Sequence, residues 1–487
     1  MSLSFDPKSV ALPSGHFIGG EYIGGAGAIT VHAPSDGRLL ADIPLADVEV
    51  VDRAVESAKK ALVASGWATQ RPRERLKALY AWADLIEKEA EALARIEAVS
   101  SSRLVKEALS GDVMIAAEQI RFFAEFADKE CDDLVPTADN QFGFIASEPY
   151  GVVGAITAWN VPVALAGWKL APALAAGNAV VLKPSEMTPF STLYLAELAV
   201  RAGIPAGLIN IVLGNGPQTG AAIVAHPQIA KISFTGSTRA GVAIMENAAR
   251  NGIKPVTLEL GGKSPQVVFA DADLDLAAGC ITRTILGNAG QGCVAGSRVL
   301  AERSIAEELT VRIARLMEDI RPGPTWDEAT TFSPIISETQ LSRIDGIVQA
   351  ARQGGADIVC GGGRIEREGS FYQPTIITGV NETSPAVAEE IFGPVLTVQS
   401  FDDESQATEM AKHATYGLSS GLFTRDLSRA MRMIRKLEAG TVWVNRYGRT
   451  RDHILPTGGW KASGLGKDLG REAYHANRRT KSVLIDY

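Results

Sequence analysis

The first third of the chain alternates apolar and polar positions with the period of an α-helix. From about Asp47 to Ala127, in stretches such as RERLKALYAWADLIEKEAEALARIEAV, apolar residues recur three and four positions apart. Residues at that spacing share one face of a helix, so the pattern predicts several amphipathic surface helices. From Cys131 to Ser147 it changes to a short polar and β-prone segment, which we interpret as an arm that pairs with another edge or another subunit.

Beyond Tyr150, short apolar runs alternate with longer helical stretches. GVVGAIT, NAVVLKP, NIVLG and KISFTGS are strand-like, and a helix is predicted to begin at Pro162. Strands separated by helices of this length form parallel βαβ units, which predicts a doubly wound sheet with ligands at the carboxyl ends of its strands. The stretch from Val161 to Leu182 is the most membrane-like, but prolines, a lysine and an asparagine interrupt it. We expect a buried helix followed by a buried strand there.

A second series of strands and helices follows the segment PVTLELGGKSPQVVF, with helices expected near 274–287 and 304–319. We therefore place a domain boundary near Gly261 and predict an α/β fold with two doubly wound, Rossmann-like domains. The last residues, SVLIDY, form a lone strand behind the predicted basic helix EAYHANRRTK, and such a strand needs a partner. The predicted units are a dinucleotide-binding domain (1–130 and 148–260), a catalytic domain (261–460) and a small β oligomerisation arm (131–147 and 470–487).

Composition narrows the class of protein. The 487 residues are 46% hydrophobic and 21% charged, which suits packed globular domains rather than disorder. Because 48 basic and 56 acidic residues leave a net charge of -8, we expect no nucleic-acid partner. The N-terminal residues show no signal region, so neither export nor a membrane partner is expected. The cysteines, at 131, 280, 293 and 360, form no CxxC pair and no metal-ligand spacing, which predicts a reduced cytoplasmic protein without a metal site.

Cys293 is the strongest candidate nucleophile. It lies in NAGQGCVAGSR, where small neighbours leave the sulfur accessible and allow backbone N–H groups to approach a bound carbonyl oxygen. The structural alternative is a small buried hydrophobic residue, which is what most free cysteines are. Cys131, Cys280 and Cys360 have no such surroundings, and we expect all three to be buried structural residues.

A carboxylate and a glycine-rich turn follow two other strands. Glu259, in TLELGG, precedes two glycines that permit a sharp turn, and a partly desolvated carboxylate there would suit a general base. In FTGSTRAG, Gly236 and Gly241 leave room for a pyrophosphate at a helix N-terminus, with Ser237 as a hydroxyl donor. The structural alternatives are a solvated or salt-bridged glutamate and a glycine turn that binds nothing.

A charged turn ends one more strand. Lys183, Ser185 and Glu186, in VVLKPSE, follow a buried apolar run at the edge where an open sheet binds its ligands. The lysine and the glutamate could hydrogen-bond ribose hydroxyls, and Pro184 stiffens the turn. An ordinary charged turn without a ligand is the structural alternative.

Seven segments, in order and over nearly the whole chain, resemble landmarks of the aldehyde dehydrogenase superfamily. They are AWNVPVALAGWKLAPALAAGNAVVLKPSE, FTGSTRAG, TLELGGKSP, GQGCVAGSR, EEIFGPVL, GTVWVN and GGWKASGLGKDLG. The resemblance assigns Cys293 as nucleophile, Glu259 as general base and Asn160 as a side-chain donor to an oxyanion. Lys169 and Asp468 match positions that the family links to a proton path, although Glu is usual at the second.

The resemblance also implies a dinucleotide site. Around the cofactor it implies Ile156, Trp159, Lys183, Glu186, Gly236, Ser237, Glu390 and Phe392, and Ser185, Gly241 and Leu260 from the same segments complete the predicted cofactor-binding set. Glu390 is expected on the nicotinamide ribose and Phe392 beside the nicotinamide. An acidic residue at the adenosine ribose, here Glu186, would repel a 2′-phosphate, so NAD is the expected cofactor and NADP the alternative.

The chain departs from the family pattern on the substrate side. Ala158 and Val161 replace a usual Pro and Phe, SSRL at 101–104 replaces a familiar Gly-Lys-Pro segment, and Thr457 replaces a common Phe. These changes predict a mouth that is wider or differently lined. They leave the identity of the substrate open.

The mechanism implied by the resemblance is NAD(P)-dependent oxidation of a small-molecule aldehyde to a carboxylic acid. Cys293 forms a thiohemiacetal, hydride transfer converts it to a thioester, and water activated by Glu259 releases the acid. One alternative is a coenzyme-A-acylating semialdehyde dehydrogenase, but that branch generally lacks a glutamate at this position. Another is a catalytically silent structural or binding member, which the presence of Cys293, Glu259 and Asn160 argues against.

Two further expectations concern the substrate and the assembly. Arg446, Arg449 and Arg451 lie in the stretch that resembles the family's substrate-mouth loop and hint at an anionic or polar aldehyde. Solvated surface arginines are the structural alternative. The arm and the terminal strand favour a homodimer or a homotetramer over a monomer.

Overall fold

The computed structural model describes residues 2–448 and 453–487. The helices are α1 (Val48–Ser65), α2 (Pro72–Lys88), α3 (Ala90–Ser100), α4 (Val105–Glu107), α5 (Val113–Phe126), α6 (Pro162–Ala175), α7 (Phe190–Arg201), α8 (Ala221–Ala225), α9 (Thr238–Arg250), α10 (Leu274–Leu286), α11 (Ala306–Glu318), α12 (Glu338–Gln353), α13 (Pro385–Ala388), α14 (Glu404–Ala411), α15 (Leu427–Ile434) and α16 (Gly470–Ala476). The strands are β1 (His16–Ile18), β2 (Glu21–Ile23), β3 (Ile29–His32), β4 (Leu39–Ile43), β5 (Asp133–Val135), β6 (Gln141–Pro149), β7 (Val152–Ile156), β8 (Ala179–Lys183), β9 (Ile209–Ile211), β10 (Lys231–Thr235), β11 (Val256–Glu259), β12 (Pro265–Val268), β13 (Arg298–Glu302), β14 (Asp357–Cys360), β15 (Thr375–Thr378), β16 (Val395–Phe401), β17 (Tyr416–Gly417), β18 (Ser419–Phe423), β19 (Thr441–Val444), β20 (Trp460–Lys461), β21 (Gly464–Leu465) and β22 (Arg478–Asp486).

The predicted amphipathic helices are confirmed by α1, α2, α3 and α5. Capping fixes the bounds of α1, because the Asp47 side chain accepts a hydrogen bond from the Val50 N–H and Gly66 ends the helix in the left-handed region, at φ 61°. Pro72 begins α2, where its missing N–H costs nothing. Helices α1 and α2 each bury one apolar face and leave charged side chains in solvent, whereas the C-terminal half of α3 is buried.

An eight-stranded sheet contains the strands predicted after residue 150. Its order is β2-β1-β9-β8-β7-β10-β11-β21, and the five central strands from β9 to β11 run parallel. The carboxyl ends of parallel strands meet at one edge, so Ile156, Lys183, Thr235 and Glu259 end their strands on the same side of the sheet. The expected α/β architecture is confirmed in this half.

A seven-stranded sheet, in the order β14-β15-β16-β13-β12-β18-β19, forms the second α/β layer. Its strands are parallel except for β14, which pairs antiparallel at the edge. The chain passes from the first sheet to the second between Glu259, the last residue of β11, and Pro265, the first residue of β12. The residues in this crossing, 260–264, therefore lie between the two sheets.

Helix α6 is buried along its whole length, as is the strand β8 that follows it. This confirms the interpretation of the membrane-like stretch as a buried helix and a buried strand. Among residues 2–448 and 453–487, no helix is both long and apolar enough to cross a membrane.

The two segments predicted as an arm pair with each other. Strands β22, β6 and β5 form a separate sheet, in which β22 and β6 are antiparallel over nine residue pairs from Arg478↔Pro149 to Asp486↔Gln141. The predicted helix EAYHANRRTK is wrong in its second half, because α16 ends at Ala476 and Arg478 already begins β22. Pairing along the whole of β6 outweighs the helix propensity of the arginines and the lysine.

The expectation that three cysteines are buried holds for one of them. Cys280 is buried on α10, Cys360 is partly buried, and Cys131 is exposed. The burial predicted for Cys131 is wrong because this residue lies between α5 and β5, outside the packed cores of both large sheets.

Candidate active site

Cys293 lies in a tight turn between α10 and β13 and is partly exposed. Before it, Asn288 and Ala289 are buried and have φ 50° and 49°, and Gly290 has φ 70°. A side chain cannot be accommodated at Gly290, since its Cβ would come within 2.1 Å of the Gly393 carbonyl oxygen. Non-glycine residues in the left-handed region are strained, so the surrounding contacts hold this turn in one shape.

Asn160, predicted as an oxyanion donor, lies beside that turn. It follows β7 and precedes α6, and its side-chain Nδ2 donates a hydrogen bond of 3.1 Å to the Gln291 carbonyl oxygen. The Asn288 side-chain Nδ2 donates to the backbone oxygen of Asn160, at 2.9 Å. The loop from the first sheet and the cysteine turn from the second are therefore joined at Asn160.

Asn288 and Gln291 organise the turn, and neither was predicted from the sequence to belong to the site. The Gln291 amide donates to the carbonyl oxygens of Asn288 and Pro334 and accepts the Ile336 N–H, at 2.8 to 3.0 Å. Two amide side chains in a run of Gly and Ala next to a candidate nucleophile are the signal that could have indicated this role. Buried amides must satisfy their hydrogen bonds, and in such a run backbone groups are the partners at hand.

Glu259 ends β11, and its side chain is buried. Its carboxylate lies against the backbone of Gly458, because a Cβ added to Gly458 would be only 2.8 Å from Glu259 Oε1. The two glycines after it do not make the sharp turn that the sequence suggested, since residues 260–264 contain no turn, and neither glycine has a positive φ. They allow close approach instead. A Cβ on Gly262 would lie 2.7 Å from the Cys293 carbonyl oxygen, so the strand end that carries Glu259 packs directly on the cysteine turn.

Lys169 and Asp468, the two residues linked to a proton path, form an ion pair from Nζ to Oδ2. Both side chains are buried, with 1% and 6% of their surface exposed. Asp468 also pairs its backbone with Thr457 in both directions, at 2.6 and 2.8 Å. Asp468 therefore reaches Lys169 although its side chain is shorter than that of the glutamate usual in the family. Lys231 is a second buried lysine in this region, and burial lowers its pKa to about 8, against a smaller opposing effect of Asp468.

The turn after β8 brings two of its charged residues together. The buried Lys183 Nζ donates to Glu186 Oε2 at 3.1 Å and to the Pro184 carbonyl oxygen at 2.8 Å. Burial lowers the pKa of Lys183, and Glu186 opposes that shift. Ser185 accepts the Met187 N–H with its hydroxyl oxygen, at 3.3 Å. The lysine and the glutamate thus present a donor and an acceptor at the carboxyl end of the sheet.

The FTGSTRAG segment forms a strand end, a turn and a helix start as predicted. Ser237 is the N-cap of α9 and accepts the Ala240 N–H with its hydroxyl oxygen, at 3.3 Å. Neither Gly236 nor Gly241 has a positive φ. A Cβ at Gly236 would meet the Phe234 ring, and one at Gly241 would lie 2.7 Å from the Leu260 side chain. Gly241 therefore lets α9 pack closely on the residue that follows Glu259.

The Glu390–Phe392 loop faces the same crossing segment. Glu390 Oε1 accepts the Gly262 N–H at 2.9 Å, and loss of solvation raises the pKa of Glu390 to about 7. Phe392 has φ 54°, and its ring meets that of Trp159 edge to face, with centroids 5.1 Å apart. The buried Ile156 lies at the end of β7, in the same first-sheet edge.

Two residues of α12 hold that loop from outside, and the sequence analysis missed both. Gln340 donates to the carbonyl oxygens of Ile391 and Phe392, and Arg343 donates to those of Ile391 and Glu390, at 2.7 to 3.1 Å. Side-chain donors that reach backbone carbonyls of a distant loop leave no periodic signal in a sequence.

The substrate side is described only in part. Arg446 is exposed and donates to the Gly448 carbonyl oxygen at 3.3 Å. Arg449 and Arg451 lie outside the described residues. Of the departures from the family pattern, Thr457 is buried, and Ala158 and Val161 are partly buried. Within the part of the chain that the structure describes, no group of His, Cys, Asp and Glu side chains is arranged to hold a metal ion.

These features define the class of the protein. It is an α/β protein with a cysteine turn, a buried strand-end carboxylate and a side-chain amide near the crossing between its two sheets. Comparison with known proteins agrees. The model of the "Aldehyde dehydrogenase family" matches residues 22–483, so the chain belongs to the aldehyde dehydrogenase family. The resemblance seen in the sequence is thereby confirmed.

Two curated relatives show how far this similarity extends. An aldehyde dehydrogenase of Enchytraeus buchholzi is 39% identical over 472 residues, which cover 96% of this chain and 95% of the relative. The cytosolic 10-formyltetrahydrofolate dehydrogenase of Xenopus tropicalis is 39% identical over 98% of this chain but only 54% of its own length. The chain thus spans about half the length of that group of relatives.

Solved structures share the fold closely. An indole-3-acetaldehyde dehydrogenase in complex with NAD+ superposes with a TM-score of 0.97 at 38% identity, covering 99% of this chain and 98% of the other. A betaine aldehyde dehydrogenase from Staphylococcus aureus, also in complex with NAD+, gives 0.94 at 35% identity, covering 98% and 95%. These matches confirm the expected architecture of two Rossmann-like domains.

Proposed function

We propose that this chain oxidises an aldehyde to a carboxylic acid with NAD, through a thioester on Cys293. The observation that supports this most strongly is the convergence of two strand-end loops on the cysteine turn. Asn160 reaches the Gln291 carbonyl oxygen, and Gly262 packs against the carbonyl oxygen of Cys293 itself. The candidate nucleophile, the candidate oxyanion donor and the loop of a buried carboxylate thus meet near the point where the chain crosses from the first sheet to the second.

The proposed reaction begins when the Cys293 thiolate attacks the aldehyde carbon. The Asn160 Nδ2 and the Cys293 backbone N–H stabilise the oxyanion of the resulting thiohemiacetal. NAD, when bound, supplies the acceptor for the hydride that leaves the former aldehyde carbon. Glu259 then takes a proton from a water molecule that attacks the thioester carbon. The acid leaves, and the sulfur is again a thiolate.

The polar groups at the carboxyl ends of the first sheet's strands and in the Glu390–Phe392 loop fit a dinucleotide. Lys183 and Glu186 offer a donor and an acceptor for ribose hydroxyls, and the N-terminus of the 13-residue α9 favours an anion beside Ser237. Glu390, with one oxygen already held by the Gly262 N–H, can accept from a second ribose. The acidic Glu186 favours NAD over NADP. In this proposal the first sheet binds the dinucleotide and the second carries the nucleophile.

The Lys169–Asp468 pair completes the proposal for the general base. The loop that contains Gly458 packs against the Glu259 carboxylate, and Asp468 pairs with Thr457 in that loop. A buried ion pair so placed gives protons from Glu259 a route away from the thioester. Lys169 would pass one of its own protons to Asp468 and take the proton from Glu259 in its place.

We further propose that the β5–β6–β22 sheet joins subunits into a homodimer or homotetramer. Both of its faces carry exposed apolar side chains, Leu134 and Leu484 among them. A reduced cytoplasmic protein is consistent with a partly exposed Cys293 and with the name "cytosolic" of the formyltetrahydrofolate relatives.

The test is an aldehyde panel run with NAD and with NADP, including indole-3-acetaldehyde and betaine aldehyde. We expect NADH formation, an equal amount of acid, and an acyl-enzyme adduct on Cys293 by mass spectrometry after rapid quenching. Cys293→Ala should abolish all three, whereas Cys131→Ala, which removes an exposed thiol between α5 and β5, should change none. Turnover in Cys293→Ala, or NADH formation only when coenzyme A is added, would refute the proposal.

A further inference from the structure

The segment that ends α3 is buried although it is mostly polar. Glu97, Ser100, Ser101 and Ser102 expose at most 1% of their surface. Buried polar groups are costly unless they are hydrogen-bonded. Ser100 and Ser101 satisfy their hydroxyls within the helix, by donating to the carbonyl oxygens four residues earlier. Glu97 and Ser102 instead reach out of the segment, on the two sides of Asn160.

Glu97 holds the start of α6. Its Oε1 accepts the Val163 N–H at 3.2 Å. The first N–H groups of a helix need acceptors from outside the helix, and within the described residues the N-cap Val161 gives no side-chain bond. The carboxyl group of Glu97, on α3, therefore caps the N-terminus of α6. Asn160 comes directly before Val161, so this contact fixes the backbone from which its amide extends.

Ser102 holds Asn160 from the side of the cysteine turn, through Asn288. Its hydroxyl donates to Asn288 Oδ1 at 2.8 Å. That bond turns the Asn288 Nδ2 towards the Asn160 carbonyl oxygen, at 2.9 Å, and towards the Gln291 carbonyl oxygen, at 3.3 Å. Gln291 is also the residue to which the Asn160 amide donates, at 3.1 Å. The contacts form a closed network from Ser102 to the cysteine turn.

We propose that Glu97 and Ser102 are positioning residues that hold the oxyanion-stabilising amide of Asn160 from its two sides. This inference rests on the role proposed above for Asn160. Oxyanion donors act only when they are fixed in advance where the charge will develop, and displacement by about 1 Å can cost on the order of 100-fold in rate. Ser102 lies in the SSRL segment that departs from the family pattern. This departure thus supplies the Ser102 hydroxyl that donates to Asn288.

The protonation state of Glu97 determines which variants test its role. Loss of solvation raises the pKa of Glu97 to about 8, and Asp112 adds to the rise, so the carboxyl is largely protonated at neutral pH. Glu97→Gln keeps the acceptor oxygen and the neutral charge, and should stay within about 3-fold of the wild-type kcat. Glu97→Leu removes the acceptor at similar volume. Ser102→Ala removes one oxygen atom and should leave the fold intact.

We expect Glu97→Leu and Ser102→Ala each to lower kcat by about 5- to 50-fold, less than the roughly 100-fold cost of a full 1 Å displacement, with the KM for NAD unchanged. The matched control is Ser100→Ala, in the same buried segment but bonded locally, which should keep the wild-type kcat. The decisive measurement is a double-mutant cycle with Asn160→Ala. In that background neither variant should lower kcat further, because the amide they position is gone.

The outcomes separate the two proposals. If Asn160→Ala alone leaves kcat unchanged, the proposed oxyanion role fails and the positioning role fails with it. If Asn160→Ala is slow but Ser102→Ala and Glu97→Leu match the wild type, only the positioning role is wrong. Losses that add in full to that of Asn160→Ala would also overturn it, since they would show a structural effect unrelated to the amide. Should Glu97→Leu fail to fold, Ser102→Ala decides alone.

Discussion

The side-chain amide of Asn160 donates a hydrogen bond of 3.1 Å to the carbonyl oxygen of Gln291, two residues before Cys293. The bond joins a loop of the first sheet to the cysteine turn of the second. It holds the amide against the cysteine turn before any substrate arrives. A donor fixed in this way needs no rearrangement when negative charge develops on a bound carbonyl oxygen.

Asn160→Ala should therefore slow the chemical step. We expect kcat to fall about 100- to 1000-fold, equivalent to about 2.7 to 4 kcal/mol in the barrier. The Kd for NAD should stay constant, because this side chain is not among the proposed cofactor contacts. Steady-state kinetics and NAD titration measure both quantities. Asn251→Ala, at the exposed C-terminal end of α9, serves as the control. A kcat for Asn160→Ala within 3-fold of wild type would contradict the prediction.

Gly262→Ala should displace the cysteine turn. Its Cβ would lie 2.7 Å from the Cys293 carbonyl oxygen and 3.0 Å from the Leu418 side chain, so backbone must move. Overpacking of this kind costs about 1–3 kcal/mol in stability, and a shift of the nucleophile by about 1 Å can cost on the order of 100-fold in kcat. Thermal unfolding and kcat measure the two effects.

The matched control for that variant is Gly279→Ala. Gly279 lies in α10, and a Cβ there would have no atom of the described residues within 4 Å. Alanine in a helix interior is favoured over glycine, so this variant should be as stable as wild type or slightly more so. Equal kinetics for the two alanine variants would show that the contact with Cys293 does not constrain the turn.

Glu390 should make both stability and cofactor binding depend on pH. Loss of solvation raises its pKa from the ordinary 4.5 to about 7. Its contribution to stability is therefore fully present below about pH 4.5 and is lost as the pH rises through about 7. NAD affinity should change in the opposite sense, because the ionised carboxylate is the better acceptor for ribose hydroxyls. Titrations from pH 5 to 9 should show NAD binding that strengthens with pH.

In Glu390→Gln both pH dependences should be reduced, because the amide does not titrate. Glu389→Gln removes the neighbouring exposed carboxylate and should keep the wild-type profile. A profile that is unchanged in Glu390→Gln would assign the titration to another group.

The strand ends could be predicted from the sequence, and the contacts that organise them could not. Glu259 and Lys183 end apolar runs, so their place at the sheet edge follows from the pattern alone. Asn288 bonds to Asn160 across 128 positions, and such pairing leaves no local signal. The sequence suggested a sharp turn at Gly262 because glycine permits backbone conformations that other residues avoid. Its actual role, close approach to Cys293, depends on how the two sheets meet.

Asp468→Asn should destabilise the protein strongly. It leaves the buried Lys169 without its ion-pair partner and removes the negative charge nearest Lys231. An uncompensated buried charge costs about 3–5 kcal/mol. In the double variant Lys169→Met/Asp468→Asn the orphaned Lys169 cation is gone and only Lys231 has lost a negative neighbour, so the free energy of unfolding should recover part of that loss. Chemical denaturation of the four proteins measures the coupling, and a double variant as unstable as the sum of the single changes would contradict it.

The β5–β6–β22 sheet leads to the last prediction, which concerns assembly. Directly opposed residues of neighbouring strands share a face, so Leu134, Phe144 and Val483 lie on one face of this sheet and Gly143 and Leu484 on the other. Leu134 and Leu484 are 72% and 60% exposed in the single chain. Apolar side chains on both faces of a small sheet favour a second copy as the cover.

A charge on each face should therefore break the assembly without unfolding the subunit. Leu134→Glu and Leu484→Glu place carboxylates at exposed positions of the sheet, and we expect the double variant to fall to the monomer mass in light scattering, with secondary structure retained. Val63→Glu is the matched control, since Val63 is 85% exposed on α1, outside the β5–β6–β22 sheet. That variant should keep the wild-type mass. If the wild type is monomeric, or if the double variant keeps the full oligomer mass, the arm does not join subunits.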